Sequence, residues 1–154
     1  MKLYFLRHAN ADWPEWTASD DDRPLTRKGQ KQSHRVGKLL HRMGVEPELI
    51  LTSPLPRAEQ TAEIAAHHLS LEVKEEPGLA KGFNLTALRA IITRSKGVDL
   101  MVVGHEPSFS AVIEKLTGGR VKLAKAGVAC VELETPESDG TLLWLIPPKS
   151  ARGS

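Results

Sequence analysis

The sequence predicts an α/β fold, a single-domain three-layer α/β/α sandwich with a mainly parallel sheet. The first observation is that short apolar runs of strand-forming residues alternate with segments of helical periodicity, as at 49–52 and 56–69. This alternation is typical of a parallel sheet whose two faces are covered by helices. The second observation is that the chain ends in two apolar segments, 127–134 and 141–146, joined by a polar loop, which predicts a strand pair.

Strands and helices alternate regularly before that pair. The predicted strands cover 2–6, 49–52, 71–74 and 99–103, and the predicted helices cover 27–43, 56–69, 85–95 and 108–116. Thr26 is a suitable N-cap for the first helix, and Gly44 is suited to end it. The apolar stripe of that helix is predicted to run from Val36 to Met43 and to face the core.

Length and composition describe an ordinary globular domain. We expect one domain over 1–147, followed by an irregular C-terminal tail over 148–154. The 21 Lys and Arg against 19 Asp and Glu give a formal net charge of +2, too balanced to predict nucleic acid or a membrane as partner. No apolar run is long enough to span a bilayer, and the first is too short for a signal peptide. With Cys130 as its single cysteine, the chain is expected to be cytoplasmic, without a disulfide or a cysteine-based zinc site.

The polar segment 10–26 is long for a loop inside a small domain, and such loops are uncommon and often functional. It contains Trp13 and Trp16, for which two roles stay open: lining the mouth of a pocket or packing the loop. It also contains the acidic run 20–22, which is more typical of a solvated loop than of an acid catalyst.

Three buried strands end on polar side chains that point to a shared site. The first ends in Arg7 and His8, the second in Ser53 with Arg57 one helical turn later, and the third in Gly104 and His105. The carboxyl ends of parallel strands meet at one edge of the sheet, where open α/β folds place their sites. We therefore expect two arginines and two histidines to converge there.

This combination of residues favours phosphate chemistry. Arginine forks suit phosphate oxygens, and the helices that follow the second and third strands would aim N-terminal amides at the same point. Two histidines beside two arginines resist protonation, so at least one should be a neutral nucleophile. Histidines without carboxylate or cysteine partners at ligand spacing make a poor zinc site, so neither a metal nor a cofactor is expected.

Four other polar residues near these strand ends are candidate site residues, and for two of them a structural role is equally open. Ser53 either caps the following helix or binds a phosphate oxygen. Arg23 either reaches the phosphate or forms an ion pair with Asp22 or Glu106. Glu106 and Asp12 are the candidates for a proton donor.

Four stretches carry a family resemblance, in this order along the chain: 6–9, 22–29, 53–62 and 103–107. The first, third and fourth resemble the three motifs of the histidine phosphatase (phosphoglycerate mutase-like) superfamily. The second is similar to its short SixA-type branch, the phosphohistidine phosphatases. The resemblance implies a phosphoglycerate mutase-like fold. It also implies that His8 is the transiently phosphorylated nucleophile, that Arg7, Arg57 and His105 form the phosphate pocket, and that Asn10 contacts phosphate.

Two departures from the family pattern bear on the substrate. Ala9 replaces the usual glycine, as is common in the short branch. Larger members also carry an acidic proton donor in the middle of the chain, where this sequence has 78–84 without a carboxylate. A basic alkoxide leaving group needs a general acid, whereas imidazole, whose conjugate acid has a pKa of about 6.5, leaves readily.

The sequence thus predicts a metal-independent phosphatase that works through phospho-His8, with phosphohistidine on a protein as the expected substrate. Two alternatives stay open: a phosphatase for a small phosphoester, and a non-catalytic module that binds a phosphorylated ligand. Turnover of p-nitrophenyl phosphate discriminates the enzymes from the module. The proton donor, the oligomeric state and the choice between N–P and O–P bonds are not predicted.

Overall fold

The fold is a six-stranded sheet with helices on both faces, as predicted. The computed structural model describes residues 1–151. The strands are β1 (Lys2–Arg7), β2 (Leu49–Thr52), β3 (Val73–Glu75), β4 (Leu100–Gly104), β5 (Val128–Leu133) and β6 (Gly140–Ile146). The helices are α1 (Arg27–Arg42), α2 (Pro56–Leu69), α3 (Leu85–Arg94) and α4 (Ser108–Thr117), and short 3-10 turns cover Asp20–Asp22, Pro77–Leu79 and Pro148–Ala151.

The order of the strands brings the predicted site residues to one edge. The order across the sheet is β3-β2-β4-β1-β5-β6, and β4 pairs in parallel with both β1 and β2. β5 runs antiparallel to β1, and β6 antiparallel to β5. The carboxyl ends of β1, β2 and β4 therefore lie side by side, next to the amino end of β5.

Alternation along the strands builds two cores, one on each face of the sheet. Leu3 and Phe5 of β1 pack into the core that includes residues of α3 and α4. Tyr4 and Leu6, which point the other way, pack into the core that includes residues of α1 and α2. Every residue of β4 is buried, since this strand has a neighbour on either side and a helical layer on either face.

The start of α1 packs tightly on the loop that follows β1. The Thr26 side chain caps the helix, as predicted, by accepting a hydrogen bond from the Gly29 N–H at 3.1 Å. A Cβ atom at Gly29 would lie 2.1 Å from the Asn10 carbonyl oxygen, so only glycine fits this contact. The position of the loop after His8 therefore depends on the first turn of α1.

Two details differ from the sequence-based expectation. Met43 is 41% exposed, because it is the C-cap that follows the last helical residue and no longer obeys the periodicity of the buried stripe. Part of the expected irregular tail, Pro148–Ala151, forms a 3-10 turn against α1, with Ala151 buried. The rest of that tail, 152–154, lies outside the described residues.

Among residues 1–151, no helix is both long enough and apolar enough to cross a membrane.

Replacing Gly29 with alanine is expected to lower the free energy of unfolding by about 1–3 kcal/mol, the usual cost of forcing extra volume into a packed position. Helix propensity alone predicts the opposite sign, since alanine is favoured over glycine in a helix by up to about 1 kcal/mol. Urea unfolding of G29A measures the difference. Gln30→Ala, at the exposed next position, is the control and should change stability by about 0.5 kcal/mol or less. A G29A protein as stable as the wild type would contradict the close contact with Asn10.

Candidate active site

The two residues at the end of β1 are held by backbone hydrogen bonds to neighbouring strands. The His8 N–H donates to the Gly104 carbonyl oxygen at 3.0 Å, and the Arg7 N–H donates to the Gly127 carbonyl oxygen at 3.1 Å. The site edge is thus continuous with the sheet, and a rigid sheet holds side chains more precisely than a free loop does.

The His8 ring is oriented by the chain itself. Its Nδ1 lies 2.8 Å from the Ala9 carbonyl oxygen. A carbonyl can only accept a hydrogen bond, so Nδ1 carries the proton and the neutral ring keeps its lone pair on Nε2. Burial is the main cause that lowers the pKa of His8 to about 3; the hydrogen bond to Ala9 opposes this shift, and His105, Arg57 and Arg7 add to it. His8 is therefore an unprotonated imidazole at neutral pH.

His105 stands beside it at the end of β4. The centroids of the two imidazole rings are 5.3 Å apart. His105 Nε2 lies 2.8 Å from the hydroxyl of Ser53, while its Nδ1 is buried without a hydrogen-bond partner among the described residues. Burial, followed by the charge of Arg57, lowers the pKa of His105 to about 4. Both histidines are thus neutral at pH 7, in a site whose charge comes from arginines.

The two arginines are anchored at one nitrogen each. Arg7 Nη1 donates to the Leu123 carbonyl oxygen at 2.9 Å, and Arg57 Nη1 donates to the Asp20 carbonyl oxygen at 3.0 Å. The Nε of each is buried and has no partner among residues 1–151. Burial, with the charge of Arg23 second, lowers the pKa of Arg57. The Nη2 of each arginine makes no hydrogen bond among residues 1–151, so each guanidinium has donors left for an anion.

These side chains surround a cleft of about 590 Å³ at the predicted edge of the sheet. The cleft contains seven of the nine predicted site residues: Arg7, His8, Asp12, Arg23, Arg57, His105 and Glu106. It also receives Asp21, Leu55, Ala80, Lys81, Gly82, Phe83, Pro107, Ser108, Ala111 and Lys125. The convergence of two histidines and two arginines expected from the sequence is present.

The other two predicted residues do not line the cleft. The Asn10 side chain is used inside its own loop, where its Oδ1 accepts from the Thr26 hydroxyl at 2.7 Å and from the Asp12 N–H at 3.2 Å. Ser53 is fully buried against His105, and its hydroxyl accepts from the Leu55 N–H at 3.2 Å at the entry to α2. Ser53 thus supports His105, and the contact of Asn10 with phosphate stays a prediction that these bonds do not favour.

The two candidate proton donors already have partners. Asp12 is paired with Lys125 and lies 3.7 Å from Arg23, and the hydrogen bond from Lys125 is the main cause that lowers its pKa. Glu106 accepts two bonds from Ser110, one from the N–H at 2.7 Å and one from the hydroxyl. An ionised Asp12 and a Glu106 engaged with α4 are both poorly placed to give up a proton.

Two lysines in the cleft were missed by the sequence-based prediction. Lys125 precedes β5, and because β5 runs antiparallel to β1, its amino end reaches the same edge as His8. Lys81 lies 3.1 Å from Asp21, so this pair joins the 80–83 segment to the long polar loop. The signal for Lys125 was available in the predicted strand pair, had its direction been assigned. The position of Lys81 depends on a contact between two loops, for which the sequence gives no pattern.

Comparison with known proteins agrees with this geometry. Residues 3–81 match the model of the histidine phosphatase superfamily (branch 1). An uncharacterized protein of Picosynechococcus is 40% identical over 136 residues, which cover 83% of this chain and 82% of that protein. Phosphohistidine phosphatase SixA of Escherichia coli is 29% identical over 155 residues, covering 96% of this chain and 94% of SixA.

A solved structure of the protein histidine phosphatase SixA in complex with tungstate superposes with a TM-score of 0.88. It is 28% identical, and the match covers 99% of this chain and 100% of that one. This similarity confirms the expected family and its fold. The chain belongs to the histidine phosphatase superfamily, and it is a phosphatase of the SixA type.

Proposed function

We propose that the protein is a metal-independent phosphatase that forms a phosphohistidine on His8. The observation that carries the proposal is the His8 ring, neutral and with Nε2 free, in a cleft with two anchored arginines. Nε2 attacks phosphorus in line, the bond from phosphorus to the leaving group breaks, and water then hydrolyses phospho-His8. Arg7 and Arg57 stabilise the charge on the equatorial oxygens, which is the main requirement of phosphoryl transfer.

His105 has a supporting part in this proposal. It is neutral, and Ser53 holds its Nε2 side. If the Ser53 hydroxyl donates to Nε2, the proton of the ring lies on Nδ1, which has no partner among the described residues. That N–H would then donate to a phosphoryl oxygen. Arg23 lines the cleft but is paired with Asp12 at 3.7 Å and with Asp20 at 3.6 Å, not with the expected Asp22 or Glu106.

We propose phosphohistidine on a protein as the substrate. The 80–83 segment contributes no carboxylate to the cleft, and the three carboxylates that line it are already engaged: Asp12 with Lys125, Asp21 with Lys81, and Glu106 with Ser110. Without a free acid, the site suits a leaving group that departs with little help, and imidazole is one. The likeness to SixA over nearly the whole chain supports the same choice.

The competing substrate is a small phosphoester, since a cleft of about 590 Å³ has room for a small molecule beside the phosphate. Lys81 and Lys125 also line it, each paired with an aspartate of the same cleft, so the net positive charge there comes from the arginines. We also propose a reducing, cytoplasmic setting, which the single, buried Cys130 supports.

His8→Ala is expected to lose at least about 10³-fold in turnover of p-nitrophenyl phosphate, the size of loss typical when a covalent nucleophile is removed. Quenching the wild type during turnover should trap acid-labile phosphate on His8. His41→Ala, at an exposed position on α1, is the matched control and should retain full activity. Phosphate trapped on another residue, or an active His8→Ala, would overturn the assignment of the nucleophile.

The rate of dephosphorylation is expected to depend on how easily the leaving group departs without a general acid. A phosphohistidine peptide is expected to be cleaved with a kcat/KM at least about 10²-fold above that of the phosphoserine peptide of the same sequence, because a general acid is worth about 10²–10⁴-fold to an alkoxide. p-Nitrophenyl phosphate, an ester whose leaving group needs little protonation, is the control and should also exceed phosphoserine. Equal rates on the two peptides would favour the small phosphoester instead.

A further inference from the structure

Helix α1 carries charge of one sign. It has no acidic residue, and its basic residues are Arg27, Lys28, Lys31, Arg35, Lys38 and Arg42. All of these side chains are exposed. The whole chain has a net charge of only +2, so the excess on α1 is a local feature and not a consequence of overall composition.

The basic residues in the first half of α1 do not stabilise the helix, unlike Arg42, whose place in the last turn is favourable. Arg27 and Lys28 occupy the first turn, where the positive end of the helix dipole disfavours cations. Arg27, Lys31 and Arg35 follow one another at intervals of four residues, a spacing at which like charges repel. When a helix carries charges that lower its own stability and no other contact compensates, a functional reason for those charges is expected.

The same side chains form a groove with the C-terminal turn. This basic groove, with a volume of about 470 Å³, is lined by Arg27, Lys28, Lys31, Gln32, Arg35, Pro148 and Lys149. Within residues 1–151, none of its lysines and arginines takes part in an ion pair; those found involve Arg23, Lys81, Arg94 and Lys125. The positive charge of the groove is therefore available to a partner.

The basic groove is connected to the site through one side chain. Gln32 lines the groove, and its Oε1 accepts a hydrogen bond from the Asn10 N–H at 3.0 Å. Asn10 is two residues from His8, and the first turn of α1 packs on its backbone. A segment held in the groove would thus lie beside the loop that follows the nucleophile.

We propose that the basic groove docks an acidic segment of the phosphorylated protein whose phosphohistidine enters the cleft, an inference that rests on the proposed function. The described residues that line the groove include no aromatic side chain on which a base could stack, which favours a protein over single-stranded nucleic acid. Charge complementarity of this kind raises the rate of encounter and selects among partners.

The test compares two phosphohistidine peptides, one flanked by glutamates and one by glutamines. With the wild type, the acidic peptide should have a kcat/KM about tenfold higher at low salt, and the preference should vanish at about 1 M salt, where the screening length falls to about 3 Å. In the variant R27E/K31E/R35E the preference should be lost, while the rate on p-nitrophenyl phosphate reports that the cleft is intact. R27Q/K31Q/R35Q, which removes charge without reversing it, should give an intermediate preference.

The control variant is K74E/K115E/R120E, which makes the same change in net charge at exposed positions outside both the groove and the cleft. It should keep the preference. If it loses the preference as fully as the groove variant does, net charge and not the groove is responsible, and the proposal fails.

Binding of a labelled, unphosphorylated glutamate-rich peptide separates this proposal from the proposed function. Its Kd should rise about tenfold in R27E/K31E/R35E, whether or not phosphohistidine is hydrolysed. An unchanged Kd would overturn the docking proposal, whereas absent hydrolysis with normal binding would overturn only the proposed substrate. Tighter groove-dependent binding of single-stranded DNA or of phosphatidylserine vesicles would overturn the choice of an acidic protein.

Discussion

The hydrogen bond between His8 Nδ1 and the Ala9 carbonyl oxygen is the interaction on which the chemistry of the site depends. It fixes the neutral tautomer and leaves the lone pair on Nε2. Burial and the nearby cations keep the ring neutral by lowering its pKa, so positive charge and an unprotonated nucleophile coexist in one cleft. A phosphate would be attracted by the arginines without protonating the group that attacks it.

The fold makes this arrangement rigid. His8 is bonded to the central strand through the Gly104 carbonyl oxygen, and the loop after it is bonded to α1 through the Asn10 backbone. The glycine at position 29 is needed because α1 touches that backbone directly. Nucleophile, loop and helix are therefore one packed unit, and the basic groove on α1 is joined to the loop after His8 through the hydrogen bond between Gln32 and Asn10.

Much of the site could be predicted from the sequence, because each of three buried strands ends abruptly on polar residues and parallel strands end at one edge. Lys125 was missed because the direction of β5 relative to β1 was not assigned from the sequence. The orientation of Asn10 could not be predicted, because its groups bond to Thr26 and Gln32 farther along the chain. Asp12 is a candidate proton donor in the sequence alone because its ion pair with Lys125, which keeps it ionised, forms only in the folded chain.

The proposed chemistry requires His8 to be neutral at physiological pH, with its proton on Nδ1. Long-range ¹H–¹⁵N NMR of the imidazole nitrogens, assigned with His8→Gln and followed from pH 8 to pH 4, measures both properties directly. We expect the Nδ1–H tautomer at pH 7 and no titration of His8 down to about pH 4, well below the ordinary histidine value of about 6.5. A His8 that titrates near pH 6.5, or that carries its proton on Nε2, would show that the ring is not held as a neutral nucleophile.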